Sequence, residues 1–288
     1  ARRQRRYFDR QLPTEWLSFP LDTDEVDRRV EALWGPPPIV SDEVTFEVTL
    51  PGDKSIGHRA LIFAALADGV SVIDNIGRGE DLASTRSALG ALGVEMTQIS
   101  EHSWRIEGTG FSGFKAPAEV INCGNSGTSI RLLAGLLSGL PFSITLDGDA
   151  SLRRRPMRRL ERALAPLGRS LRVGPDGGAP ISVGGDDTSI TEAASPSKMI
   201  EIFTQMSSAQ LKSAALLAGL TAKAPIRVEE VALSRDHTER MMHHFGLSID
   251  RSDDLLSATL TPPYKEIPSF EARVPGDFSS AAFWLAVG

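Results

Sequence analysis

The chain has 288 residues, enough for two ordinary domains or one large one. Apolar residues at 41 % and charged residues at 24 % exclude a disordered, collagen-like or coiled-coil chain, and the longest clean apolar stretch, residues 60–67, is far too short to span a membrane. A single cysteine, Cys123, excludes an intrachain disulfide and fits a reducing compartment, while the net charge of −6 argues against nucleic acid or an anionic membrane as partner.

The chain opens on a basic cluster, Arg2, Arg3, Arg5, Arg6 and Arg10, with no apolar signal-peptide core behind it. Glu15, Asp22, Asp24, Glu25 and Asp27 oppose a transit peptide, a class poor in acids. Residues 14–34 fit one amphipathic helix stopped by Gly35-Pro36-Pro37-Pro38, and residues 1–40 read as an extension ahead of the main fold.

From Pro51 onward the chain repeats itself. Apolar helices are predicted to begin near Ser55, Ser126, Ser208 and Ser279, and the first three lead into β-rich runs at 70–73, 142–146 and 226–228. A second kind of helix, acidic or capped at its start and carrying one apolar stripe, is predicted over 80–93, 158–168 and 235–246. Each copy ends on Leu or Phe followed by Gly93, Gly168 or Gly246, spaced 75 and 78 residues apart, where a helix end favours a left-handed residue. The unit therefore reads strand, helix, strand, helix, then one or two strands, which makes the protein α/β. Pro51-Gly52-Asp53-Lys54-Ser55 returns 224 residues later as Pro275-Gly276-Asp277-Phe278-Ser279, so three complete repeats precede the opening of a fourth. The apolar helix from Ser279 reads as buried, and this predicts a further C-terminal part for it to pack on.

The starts of the apolar helices hold the candidate chemistry. Lys54-Ser55, Asn125-Ser126-Gly127-Thr128 and Ser207-Ser208-Ala209-Gln210 place small hydroxyl and amide residues where unpaired N–H groups and the positive dipole end suit phosphate or carboxylate. Ser and Thr at such positions also serve simply as caps. Lys54, Arg59 and Arg131 shift the balance, because cations in a first turn oppose the dipole unless an anion joins them. A nucleotide P-loop is excluded, since Asp53 stands where its second Gly belongs, and no dinucleotide Gly-x-Gly-x-x-Gly precedes a helix; ATP and NAD are not indicated.

The run Arg153-Arg154-Arg155-Pro156-Met157-Arg158-Arg159, with Arg162 beyond, is the densest positive charge, and Pro156 suits the first position of the helix that follows. Crowded guanidinium groups call for a small anionic ligand or a solvated face; the acidic chain and the lack of interleaved aromatics disfavour nucleic acid. His58, His102, His237, His243 and His244 form no metal-ligand pattern and read as surface or helix-face residues. Cys123, at the end of a predicted strand over 119–122 with no adjacent base, reads as a small buried residue rather than a nucleophile.

Five stretches together carry a family resemblance: Pro51 to Arg59 (PGDKSIGHR), Gly124 to Arg131 (GNSGTSIR), Gly148 to Met157, Ser208 to Ala214 (SAQLKSA), and Ser234 to Glu239 (SRDHTE). In these the chain resembles the 5-enolpyruvylshikimate-3-phosphate synthases (3-phosphoshikimate 1-carboxyvinyltransferases), over Thr45 to Val287. The resemblance implies two lobes of three βαβαββ units each, an inside-out α/β barrel. Residues 53–274 would form the first lobe, and 44–52 with 275–288 the strands and helix start of an incomplete second one.

The implied reaction moves the enolpyruvyl group of phosphoenolpyruvate onto the 5-hydroxyl of shikimate 3-phosphate, releases phosphate, and uses no metal or organic cofactor. By the same resemblance, Lys54 is catalytic and touches both substrates. Ser55, Arg59, Ser208, Gln210 and Arg235 join it around shikimate 3-phosphate, and Gly127, Arg155 and Gln210 around phosphoenolpyruvate. Gly127 would also leave the phosphoenolpyruvate pocket open to glyphosate, which a methyl group there would crowd. The implied setting is a cytoplasmic protein, monomeric at full length, acting on small molecules without nucleic acid or membrane.

Two departures stand out. Ala209 replaces a serine common in the family, and the family's catalytic Asp and its Lys-Glu-x-Asp-Arg motif belong to a portion this sequence does not contain, so the chain alone is expected to be inactive. The alternatives are a non-catalytic anion-binding lobe and a UDP-N-acetylglucosamine enolpyruvyl transferase-like enzyme. The latter family carries Lys-Asn where Lys54-Ser55 stands, and its reactive Cys belongs in the loop occupied here by residues 149–155.

Overall fold

The structure, a computed structural model, describes residues 48–168, 171–184 and 198–287; the extension predicted over residues 1–40 lies outside them. The first described helix is started by Asp53, whose Oδ1 accepts the Ile56 N–H at 2.8 Å. Helix α1 then runs Lys54–Leu66, followed by β1 (Ala67–Asp74), α2 (Glu80–Ala91), β2 (Glu95–Gln98) and β3 (Trp104–Thr109). Next come β4 (Ile121–Asn122), α3 (Gly127–Ser138), β5 (Ile144–Asp147) and a single turn, α4 (Ala150–Arg153). Helix α5 (Arg158–Leu164) tightens into a 3-10 turn (Ala165–Leu167) before β6 (Leu171–Val173) and β7 (Ile181–Val183). A third series follows: β8 (Ile200–Thr204), α6 (Ala209–Ala222), β9 (Ile226–Glu230), α7 (His237–His244), β10 (Ile249–Arg251) and β11 (Ser257–Leu260). The last elements are β12 (Ile267–Pro268), β13 (Glu271–Arg273) and α8 (Phe278–Val287).

The repeat predicted from the glycine spacing is present in the sheets. One sheet has the order β4-β5-β7-β6 and another β8-β9-β11-β10; in both, the first pair is parallel and the rest antiparallel. The remaining sheet follows the same rule with β1, β3 and β2, but its parallel partner strands are β12 and β13, from the far end of the chain. Thus the first repeat in sequence is completed by residues 267–273, a closure that no local pattern announces. Gly93, Gly168 and Gly246 all adopt the predicted left-handed backbone, with φ of 91°, 69° and 75°.

The two Pro-Gly-Asp copies also meet. Gly52 and Gly276 form an antiparallel bridge, flanked by Asp53 N–H to the Pro275 carbonyl and Asp277 N–H to the Pro51 carbonyl, both 2.8 Å. Glycine is required at 52, where a Cβ would fall 1.8 Å from the Asn75 carbonyl oxygen.

Among the described residues, Pro51–Asp277 form one compact unit, and α8 belongs to a second. In the first, α1, α3 and α6 are buried on nearly every face, as helices apolar all round must be. Gly135 lets α3 touch α6 backbone to backbone: a Cβ there would lie 2.2 Å from the Ala214 carbonyl oxygen. In the second unit, Phe278, Phe283 and Trp284 of α8 are 51 %, 77 % and 60 % exposed. Pro156 departs from its expected place: it precedes Met157, the residue at the N-cap of α5, while Asp149 caps the unpredicted α4 by accepting the Leu152 N–H at 2.7 Å.

Candidate active site

The predicted helix starts do use their hydroxyls as caps. Ser126 Oγ accepts the Ser129 N–H at 3.1 Å, and Ser208 Oγ the Leu211 N–H at 3.4 Å; at α1 that task falls to Asp53, which leaves Ser55 Oγ available to other partners. Arg235 Nη1 donates to this Ser55 hydroxyl at 3.0 Å, across 180 residues of sequence.

Arg59 lies beneath, 3 % exposed. Its Nε donates to Thr238 Oγ1 (2.6 Å), Nη1 to the Ser55 carbonyl (2.9 Å) and Nη2 to Ser213 Oγ (2.7 Å). Three of the five guanidinium donors are thereby fixed by the protein. Burial draws this guanidinium down to about 10, with Glu239 opposing the shift.

A second group gathers at the start of α3. Arg131 Nη1 donates to Gln210 Oε1 (2.8 Å) and to the Gly127 carbonyl (3.2 Å), while Gln210 Nε2 donates to Thr128 Oγ1 (2.9 Å). Arg155 Nη2 donates to Asn125 Oδ1 at 2.6 Å. A Cβ on Gly127 would stand 2.8 Å from Nη1 of both Arg131 and Arg155, so this glycine keeps the two guanidinium groups over the helix end. Arg131 is held below its ordinary value, first by burial and then by the like charges of Arg155 and Arg159.

The two groups are bridged through Lys54 and Asp81. Lys54 Nζ lies 2.7 Å from Asp81 Oδ2, and the Asp81 carbonyl accepts the Ser129 hydroxyl at 3.1 Å, next to Ser126. Burial acts to raise Asp81, but the hydrogen bond and charge of Lys54 outweigh it and hold the carboxyl below its usual range. The Lys54 side chain is 55 % exposed, so it presents its charge to solvent from an anchored position.

The arginine run is divided by the fold. Arg153 is paired with Asp147 through two bonds, 3.0 and 2.6 Å, so it has its own carboxylate, whereas Arg155 joins the α3 group. Arg154, Arg158, Arg159 and Arg162 are exposed.

His58 corrects the surface reading. It is fully buried, Nδ1 sits 2.7 Å from Thr85 Oγ1, and the hydroxyl chain continues through Ser129 to Ser126 in steps of 2.7 Å. Desolvation lowers its value to about 3. Cys123 is buried as expected, and burial pushes its thiol up to about 12, the opposite of nucleophile activation. No group of three or more His, Cys, Asp or Glu among the described residues is placed to hold a metal ion.

The family model for EPSP synthase (3-phosphoshikimate 1-carboxyvinyltransferase) matches residues 40–288. The chain belongs to the EPSP synthase family. Among relatives, the 3-phosphoshikimate 1-carboxyvinyltransferase of Synechococcus sp. (strain CC9605) is 45 % identical over 245 residues, covering 84 % of this chain and 53 % of its own. The protein of that name from Xanthomonas axonopodis pv. citri (strain 306) is 43 % identical over 238 residues, covering 83 % and 52 %. A solved EPSP synthase from Acinetobacter baumannii superposes with a TM-score of 0.74 at 38 % identity, covering 83 % of this chain and 51 % of that one. The chain spans about half the length of the curated relatives it matches.

Lys54, Arg59, Arg131 and Arg155 stand out in the sequence as charges, whereas most of the groups that anchor them do not. Asp81 carries no sign beyond being an acid at the start of a helix. Thr238 and Ser213 are ordinary hydroxyls until the fold sets them on either side of Arg59.

Proposed function

We propose that this chain supplies the shikimate 3-phosphate and phosphoenolpyruvate contacts of a 3-phosphoshikimate 1-carboxyvinyltransferase. The observation that carries the reading is the gathering of Arg235–Ser55, Arg59, Lys54–Asp81, Arg131–Gln210 and Arg155–Asn125 around the starts of α1, α3 and α6. Both substrates carry a carboxylate and a phosphate. Like charges about 5 Å apart repel by roughly 3 kcal/mol per pair in a partly screened site, so bringing two such molecules together needs fixed cations.

In this reading Arg59 and Arg235 take the phosphate ester with Ser55 and Ser208, Arg155 and the open face of Gly127 take phosphoenolpyruvate, and Gln210 borders both. Lys54 is the mobile charge that leaves Asp81 for the reacting centre, where it offsets negative charge as the 5-hydroxyl oxygen bonds to C2 of phosphoenolpyruvate, the C2–O bond to phosphate breaks, and the hydroxyl proton is released to the departing phosphate. In this reading the full-length protein acts in the cytoplasm as a monomer. No helix among the described residues is long and apolar enough to cross a membrane.

The test is calorimetric titration of the 288-residue chain with shikimate 3-phosphate, with shikimate as control. Saturable binding of the ester, lost in Lys54→Ala, supports the assignment. Equal, salt-sensitive binding of unrelated polyanions would instead support a generic anion-binding lobe.

A further inference from the structure

Lys212 takes no part in the array above, yet it occupies a costly place for a cation. It lies in the first turn of α6, near the positive dipole end, and is 3 % exposed. Its Nζ is 2.7 Å from Glu230 Oε2 and 2.8 Å from Glu239 Oε1, carboxylates only 1 % and 2 % exposed. Apolar residues of the same volume would fill this space at no loss of stability, because desolvation offsets the attraction of buried ions.

The bonds of Glu230 give the cluster a use. Oε1 accepts the Ser208 backbone N–H at 3.0 Å, and Oε2 accepts the Ser234 hydroxyl at 2.7 Å. Ser208 opens α6 two residues before Gln210, and Ser234 precedes Arg235, so one buried carboxylate fixes the spacing between two segments of the candidate site. Lys212, itself paired with Glu239, holds that carboxylate in place. Glu239 adjoins Thr238, whose hydroxyl takes the Arg59 Nε–H and donates to Ser213.

We infer that Glu230 is a positioning residue, with Lys212 as its buried counter-charge and Glu239 as the second carboxylate on that ammonium, and that its bond to the Ser208 N–H sets the affinity of the site for a phosphate ester. This rests on the proposed function in naming shikimate 3-phosphate as the ester; Glu230 itself touches no substrate.

The test compares two variants of the full chain in which the cluster is uncharged, so that a stranded buried ion does not confuse the result. Lys212→Met/Glu230→Gln/Glu239→Gln keeps an acceptor for the Ser208 N–H, whereas Lys212→Met/Glu230→Met/Glu239→Gln removes it. Amide hydrogen exchange at Ser208 is read without ligand, and shikimate 3-phosphate binding by calorimetry. The Gln form is expected to keep Ser208 protected and to bind within about threefold of the unaltered chain; the Met form is expected to expose Ser208 and bind about tenfold more weakly.

Equal affinity of the two forms, or equal protection of Ser208, overturns the inference. Should the Met form not fold, Glu230→Asp shortens the reach while keeping the charge, and the same losses are expected of it. No binding by the unaltered chain would overturn the proposed function instead, and the exchange rates would then decide whether Glu230 holds Ser208.

Discussion

Replacing Gly127 by alanine tests the phosphoenolpyruvate half of the site with little disturbance elsewhere. Gly127 is the first residue of α3 and already has helical backbone, so alanine fits there and stabilises the helix by up to about 1 kcal/mol. Its methyl carbon would arrive 2.8 Å from Nη1 of both Arg131 and Arg155, against 3.4 Å for ordinary contact, so each guanidinium retreats by about 0.6 Å. Both are far ends of flexible side chains and can move. The retreat stretches the 2.6 Å bond of Arg155 to Asn125 and the 2.8 Å bond of Arg131 to Gln210, and it carries the charges away from the helix end.

Loss of one hydrogen bond to a charged group amounts to about 1.5–3 kcal/mol, or roughly tenfold to a hundredfold in affinity. The assay is calorimetric titration of the chain with phosphoenolpyruvate after saturation with shikimate 3-phosphate, alongside thermal unfolding. Expected are at least about tenfold weaker phosphoenolpyruvate binding, less than about threefold change for shikimate 3-phosphate, and an unfolding temperature equal to or above that of the parent. Unchanged phosphoenolpyruvate affinity would refute the local argument, and so would an equal loss for both ligands.

Four further outcomes are expected. Lys54→Ala abolishes shikimate 3-phosphate binding but lowers stability by less than about 1 kcal/mol, because its bond to Asp81 is largely exposed; a large drop in the urea midpoint would contradict this. Arg59→Lys keeps the charge but leaves two of the three partners Thr238, Ser213 and the Ser55 carbonyl unmet, costing about 2–4 kcal/mol in urea unfolding and at least about tenfold in ester binding, and an unchanged midpoint would refute it. His58, ordinarily near 6.5 and lowered to about 3 in the fold, is neutral when folded and charges readily when unfolded. Its stabilisation is therefore complete above pH 6.5 and declines as pH falls toward 3, by up to about 5 kcal/mol; His58→Asn should flatten that slope, leaving the same-signed part from His237, lowered to about 4. Gly135→Ala drives a methyl carbon to 2.2 Å from the Ala214 carbonyl oxygen and should cost about 1–3 kcal/mol or more in thermal unfolding, since backbone cannot yield as a side chain does.

Local chemistry made much of this protein legible from sequence. Left-handed glycines end helices because they lack a Cβ, so Gly93, Gly168 and Gly246 marked the repeat before any sheet was seen. Helices apolar on every side have to be buried, which placed α1, α3 and α6 at the core, and their polar starts marked where cations and caps would gather.

The sequence alone could not reveal partners separated by long stretches of chain. Strand β1 finds its parallel partners about 200 residues away, because closing the first sheet depends on where the chain returns. Arg59 meets Thr238 across 179 residues, and Lys212 looks like a solvated lysine in a string of letters until two buried carboxylates close on it. Composition and periodicity determined which residues must be inside, which helices must start with a cap, and which cations needed an anion. Tertiary structure alone decided which of those cations are held by the protein itself, as Arg153 is by Asp147, and which are left to face a ligand, because that choice depends on contacts between segments that local pattern does not encode.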